Sequence, residues 1–136
     1  MIKSKFAIQL HILTLLADNS SEWLSSSYIA GSLNINPVLV RKEIKQLKSA
    51  GFVDSKEGTS GGITLLKKSS EIMLSDIFKV SKGEDNVLSF SKNSPNPKCP
   101  IGKKINENLQ GLYNEIDDSI EQSLNAKSLL DFRNQF

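Results

Sequence analysis

The spacing of apolar residues changes several times along the chain, and each change marks an element. Phe6, Ile8, Leu10, Ile12, Leu13, Leu15 and Leu16 leave little polar circumference, which predicts a helix of about 13 residues that must be covered on more than one side. Part of that helix is expected to face a second subunit. Tyr28, Ile29, Ala30 and Leu33 then repeat with helical spacing after Ser25, Ser26 and Ser27, any of which suits a cap. Only Asn34, Ile35 and Asn36 separate this from the next helix, the length of a helix-turn-helix turn. Asn36-Pro37 is a strong start signal, because Asn caps free amides and Pro at the first helical position loses no hydrogen bond. Val40, Ile44 and Leu47 then form one apolar stripe, with Arg41, Lys42, Lys45 and Lys48 opposite it. Gly51 suits the left-handed stop of a helix.

Residues 52–56 and 63–66 read as strands joined by Glu57-Gly58-Thr59-Ser60-Gly61-Gly62. Leu74, Ile77, Phe78 and Val80 predict a short helix ending near Gly83, and residues 91–98 form a Ser/Asn/Pro-rich loop with no packing pattern of its own. Val87, Leu88 and Phe90 are expected to tuck that loop against the core. From Pro100 to Leu124, Ile101, Ile105, Leu109, Leu112, Ile116, Ile120 and Leu124 recur every three or four residues. That helix spans roughly 37 Å, more than the preceding domain needs, which favours pairing with a second copy over folding back. Ser128 and Asp131 resemble a capping box for a last turn, with Phe132 and Phe136 as anchors.

Composition adds a class to this architecture. With 136 residues, 38% hydrophobic and 24% charged, the chain suits one small globular unit. Neither a membrane-spanning run nor a signal-peptide pattern is present, so a cytoplasmic protein is expected. The net charge is only +2, but residues 1–68 carry nine Lys/Arg against five Asp/Glu, so the basic excess lies with the helix-turn-helix. A charged helix face or a glycine turn alone is weak evidence; the two in this order point to nucleic acid. The single histidine, His11, is expected to be a partly buried structural residue rather than a pH sensor, and it offers no metal site. With no base paired to Cys99, no metal-ligand cluster and no phosphate loop, an enzyme is not expected.

The order of elements, together with Ile29-Ala30, the run Leu47-Lys48-Ser49-Ala50-Gly51-Phe52-Val53, Gly58 and Gly61-Gly62, and Leu74-Ser75-Asp76-Ile77, resembles the Rrf-type family of winged-helix transcriptional regulators, which includes IscR, NsrR and CymR. The stretch Asn96-Pro97-Lys98-Cys99-Pro100-Ile101-Gly102-Lys103-Lys104 is most similar to its YwnA-like branch. The resemblance implies a mainly α fold with a small β-hairpin wing: a winged helix-turn-helix at residues 1–82, a loop at 83–98, and a dimerisation helix and tail at 99–136. It further implies a homodimer joined through the helix 100–124, bound to double-stranded DNA as a repressor or activator, with repression the expected direction. Three positions depart from the pattern. Cys99 stands alone where cluster-bearing members have three cysteines, so no cofactor is expected; Glu57 replaces a frequent wing arginine; and Met73 replaces a threonine cap.

On this reading Asn36, Val38, Arg41, Lys42 and Lys45 reach the groove of a near-palindromic operator, with Arg41 suited to bidentate contact with guanine. Ser26, Ser27, Lys48 and the backbone at Gly58, Thr59, Gly61 and Gly62 are expected on phosphate. Cys99, before Pro100 and near Lys98, Lys103 and Lys104, admits two readings: a redox-sensing thiol at a helix start, or a packed, inert one. The weak total charge and Glu57 keep one alternative function open, a winged-helix module that binds protein.

Overall fold

A computed structural model of the protein describes residues 4–136. Met1, Ile2 and Lys3, on which the expected lack of a signal peptide partly rests, lie outside them. Six helices and one hairpin follow in the order α1 (Lys5–Asp18), α2 (Ser26–Leu33), α3 (Pro37–Ser49), β1 (Val53–Lys56), β2 (Gly62–Leu65), α4 (Leu74–Lys82), α5 (Pro100–Leu124) and α6 (Leu129–Arg133). The architecture is a winged helix-turn-helix with a long C-terminal helix.

The core forms where α1 meets α2, α3, α4, α6 and β2. Ile12, Leu13 and Leu16 of α1 are buried with Ile29, Val40, Leu47, Val53, Ile72, Ile77 and Leu129. Covering α1 on several sides is what its nearly continuous apolar surface requires. Its remaining side is open: Ala7 and His11 are exposed, and with Phe132 and Phe136 they border an apolar groove between α1 and α6. His11 is thus not partly buried as expected; its Nε2 pairs with Ser32 Oγ of α2 at 3.0 Å.

Local signals set most boundaries. The Ser25 hydroxyl accepts from Tyr28 N–H at 3.0 Å and starts α2, and Asn34, with φ of 54°, turns the chain toward α3. Gly51 has φ of 85°, a conformation that L side chains resist, and ends the α3 turn. The strands pair antiparallel with Val53 opposite Leu65 and Lys56 opposite Gly62. Leu24 adds a bridge on the far side of β2, exchanging backbone hydrogen bonds of 2.9 and 2.7 Å with Ile63. At Gly62, φ is 146° and a Cβ would stand 2.6 Å from Leu24 O, so only glycine lets the wing lie this close.

With Met73 in place of a threonine cap, the Asp76 N–H that such a hydroxyl would accept donates to Met73 O at 3.0 Å. Met73 is the cap residue, and the Asp76 carboxylate accepts its N–H at 2.9 Å. The Ser128 capping box forms as read, with Asp131 and Ser128 exchanging hydrogen bonds of 2.9 and 3.0 Å. α6 then returns to the first domain: Leu129 is fully buried, and Arg133 pairs with Asp18 at 2.7 Å. Of the two expected anchors, Phe132 packs on the core, whereas Phe136 is 84% exposed and makes an edge contact with the Phe132 ring.

The loop between α4 and α5 departs from expectation. It docks on α5 instead of the core: Asn86 Nδ2 donates to Asp117 at 2.7 Å, Val87 N–H donates to it at 3.2 Å, and Tyr113 Oη donates to Ser89 O at 2.9 Å. Phe90 lies against Tyr113, and Leu88 stays exposed. Asp117 is the one buried residue of α5; of its apolar stripe, Ile101 and Leu112 are exposed, Ile105, Leu109, Ile116 and Ile120 are half-buried, and Leu124 packs on the core.

Candidate nucleic-acid interface

The interface is built on α3. Asn36 Oδ1 accepts from Val38 N–H at 2.8 Å and Pro37 opens the helix, as the dipeptide predicted. Val40, Ile44 and Leu47 are buried behind it, and that packing turns Arg41, Lys42, Lys45 and Lys48 outward, all exposed. Lys48 Nζ donates to Ser55 Oγ of β1 at 2.7 Å, which ties the end of the recognition helix to the wing.

Between helix and wing lies an open groove of about 550 Å³. Of the residues singled out from sequence, it brings together Ser26, Arg41, Lys45, Lys48, Gly58, Gly61 and Gly62. Ser27, Lys42, Asn36, Val38 and Thr59 do not line it but are exposed; Asn36 and Val38 stand at the free start of α3. Because the Asn36 carbonyl oxygen caps the helix, its amide nitrogen is the group left to reach outward. Glu57 also lines the groove, adding a negative charge to an otherwise cationic wall.

The structure adds groups that sequence reasoning passed over. Ser25, read only as a cap, and Lys56 both line the groove. Lys56 Nζ stands 4.9 Å over the Trp23 ring, a cation–π contact that holds the lysine at the wing base. Strand alternation marks Lys56 as facing solvent, since Val53 is buried and side chains change face at each residue, but does not place it in the groove. Tyr28, Val38 and Leu39 are exposed apolar residues, at 55%, 61% and 50%. Their surface at the helix-turn-helix edge offers methyl and ring contacts of the kind that thymine methyl groups accept.

Cys99 is the cap of α5, with its thiol accepting Gly102 N–H at 3.4 Å. Asn96 folds the preceding residues into a turn, its side chain taking Lys98 N–H at 2.9 Å and its carbonyl taking Cys99 N–H at 3.2 Å. The loop thus carries an instruction that composition concealed, and the thiol is exposed, so the packed reading is overturned.

Comparison with known proteins agrees with this geometry. The sequence profile of the Rrf2 family, described as iron-dependent transcriptional regulators, matches residues 2–135. The chain belongs to the Rrf2 family. It is 37% identical over 134 residues to YwnA of Bacillus subtilis (strain 168), a candidate HTH-type transcriptional regulator, covering 98% of each. Its fold superposes with TM-score 0.80 on a candidate transcriptional regulator from Lactobacillus plantarum, at 22% identity over 97% of this chain and 89% of the other. CymR (YrzC), the global cysteine regulator of B. subtilis, follows with TM-score 0.73 and 23% identity, over 100% of this chain and 98% of the other. This Rrf2-family protein is a DNA-binding transcriptional regulator and not an enzyme.

Iron–sulfur clusters are held by several cysteine thiolates, and Cys99 is the one cysteine of the sequence. Among the described residues, no three His, Cys, Asp or Glu side chains gather to hold a metal ion. No helix among them is long and apolar enough to cross a membrane.

Proposed function

We propose that this Rrf2-family protein is a cytoplasmic, homodimeric repressor that reads a near-palindromic operator without an iron–sulfur cluster and responds to oxidants through Cys99. The observation that carries the DNA reading is the exposed cationic face of α3, joined to the wing by Lys48 and Ser55 across the groove. Arg41 and Lys45 face base edges, while Lys48, Lys56, Ser25, Ser26 and the glycine-rich tip meet phosphates and set register. Asn36, Val38, Lys42, Ser27 and Thr59 extend the contact to either side. Glu57 repels phosphate, which limits how deeply the wing enters the minor groove.

Dimerisation is supported by α5, where Ile101 is 72% and Leu112 50% exposed on its apolar stripe. Two copies joined there would present recognition helices one DNA turn apart, roughly 34 Å. For the thiol, oxidation of Cys99 to sulfenic acid by a peroxide forms an S–O bond as the peroxide O–O bond breaks, with water leaving. The larger, polar group alters the cap of α5 and hence the hinge between the DNA-binding unit and the dimer helix. The test is binding to labelled duplex at several salt concentrations, before and after peroxide. Binding that weakens with salt supports the DNA reading, and a peroxide response absent from Cys99→Ser supports the sensor.

A further inference from the structure

The apolar back of α3 is interrupted by charge. Glu43, buried, and Gln46, half-buried, face inward beside Val40 and Leu47, and neither meets a cation among the described residues. Both meet Gln9 of α1, which is fully buried. Gln9 Nε2 donates to Glu43 Oε2 at 3.0 Å and to Gln46 Oε1 at 3.2 Å, while its Oε1 accepts from Ser81 Oγ of α4 at 2.6 Å. Gln46 Nε2 closes the ring by donating to Val80 O at 3.1 Å. One amide therefore joins three helices, with both its protons and its oxygen engaged.

Apolar contacts tolerate a rotated helix, because burial is non-directional; hydrogen bonds do not. Glu43 and Gln46 lie three residues apart on one side of α3, so satisfying both from one amide fixes the helix about its axis. Arg41 and Lys45 leave the same helix on its far side, one turn apart, and a rotation of one residue, about 100°, would carry both away from the groove. We infer that Gln9 is a positioning residue that sets the rotation of the recognition helix, and through it the base selectivity of α3. The setting reaches further, since α4 is itself held to α5 by Ser75 to Asn125 at 2.8 Å and by Lys79 to Glu121 at 3.1 Å. The inference rests on the DNA-binding role of α3.

The test uses full-length protein and the pair replacement Gln9→Leu/Glu43→Leu. Removing both partners avoids an orphaned buried carboxylate, leaving only the Ser81 hydroxyl and Gln46 Oε1 to lose a neutral hydrogen bond. Residual dipolar couplings of α3 amides, measured against those of α1, should report a reoriented α3, and the ratio of specific to non-specific DNA affinity should fall at least tenfold. Ser81→Ala, which removes only the bond from α4 to Gln9, should move both readouts in the same direction by less and serves if the pair variant misfolds. Unchanged couplings overturn the inference whatever the DNA result, and so do altered couplings with an unchanged ratio. Parent protein without any specific site contradicts the DNA-binding role instead, and the couplings still decide whether Gln9 orients α3.

Discussion

Arg41 and Lys48 are exposed cations on the same helix, yet their surroundings assign them different work. Arg41 is exposed in the groove, where the proposed complex gives it a planar two-point contact with guanine, whereas Lys48 is held at the wing base by Ser55. Arg41→Ala should therefore cost about 1 to 3 kcal/mol on the selected site and relax preference at one base position, measured by competition with single-base variants. Lys48→Ala should weaken all sequences alike and reduce the salt slope by about one. Equal loss of preference in both variants would refute the division. Cys99 has an independent readout: it is exposed, so a thiol-labelling reagent should modify the folded protein, and peroxide should change DNA affinity only while the thiol is present. An undiminished response in Cys99→Ser would remove it from the mechanism.

Elements begin and end where short-range chemistry dictates, and that part was legible. Asn36→Ala should lower stability by about 1 kcal/mol in urea unfolding, because it leaves Val38 N–H without its cap; an unchanged midpoint would show that the cap is not limiting. Pro37, Pro100, Gly51 and Ser128 marked boundaries in the same local way, since their effects depend on backbone geometry within a turn. Less was legible where one element meets another. The apolar stripe of α5 was readable, but not that Asp117, Tyr113 and Asn86 make the contact to its own domain, because amphipathic periodicity locates an apolar face and says nothing of which polar groups pair. Likewise Gln9 sat unnoticed in an apolar helix, as its partners Glu43, Gln46 and Ser81 are distant in sequence. In the candidate site, α3 supplied periodic signals that were easily read, while Ser25 and Lys56 joined the groove only through the bridge of Leu24 to the wing.

At the scale of the molecule, a DNA-binding unit is joined to a helix whose apolar stripe is left exposed at Ile101 and Leu112. Leu112→Asp places a charge on that stripe at an exposed position, so the monomer should fold normally while sedimentation shows loss of the dimer. The same variant should bind operator DNA far more weakly, since two half-sites are no longer engaged together. A dimer of unchanged strength would move the subunit contact elsewhere. The central claim, that two copies read one operator, is tested most directly by selecting bound duplexes from a random pool with reduced protein at near-physiological salt. An enriched near-palindrome with half-sites one helical turn apart is the predicted result. A folded protein that enriches no sequence, or only a single unrepeated half-site, would contradict it.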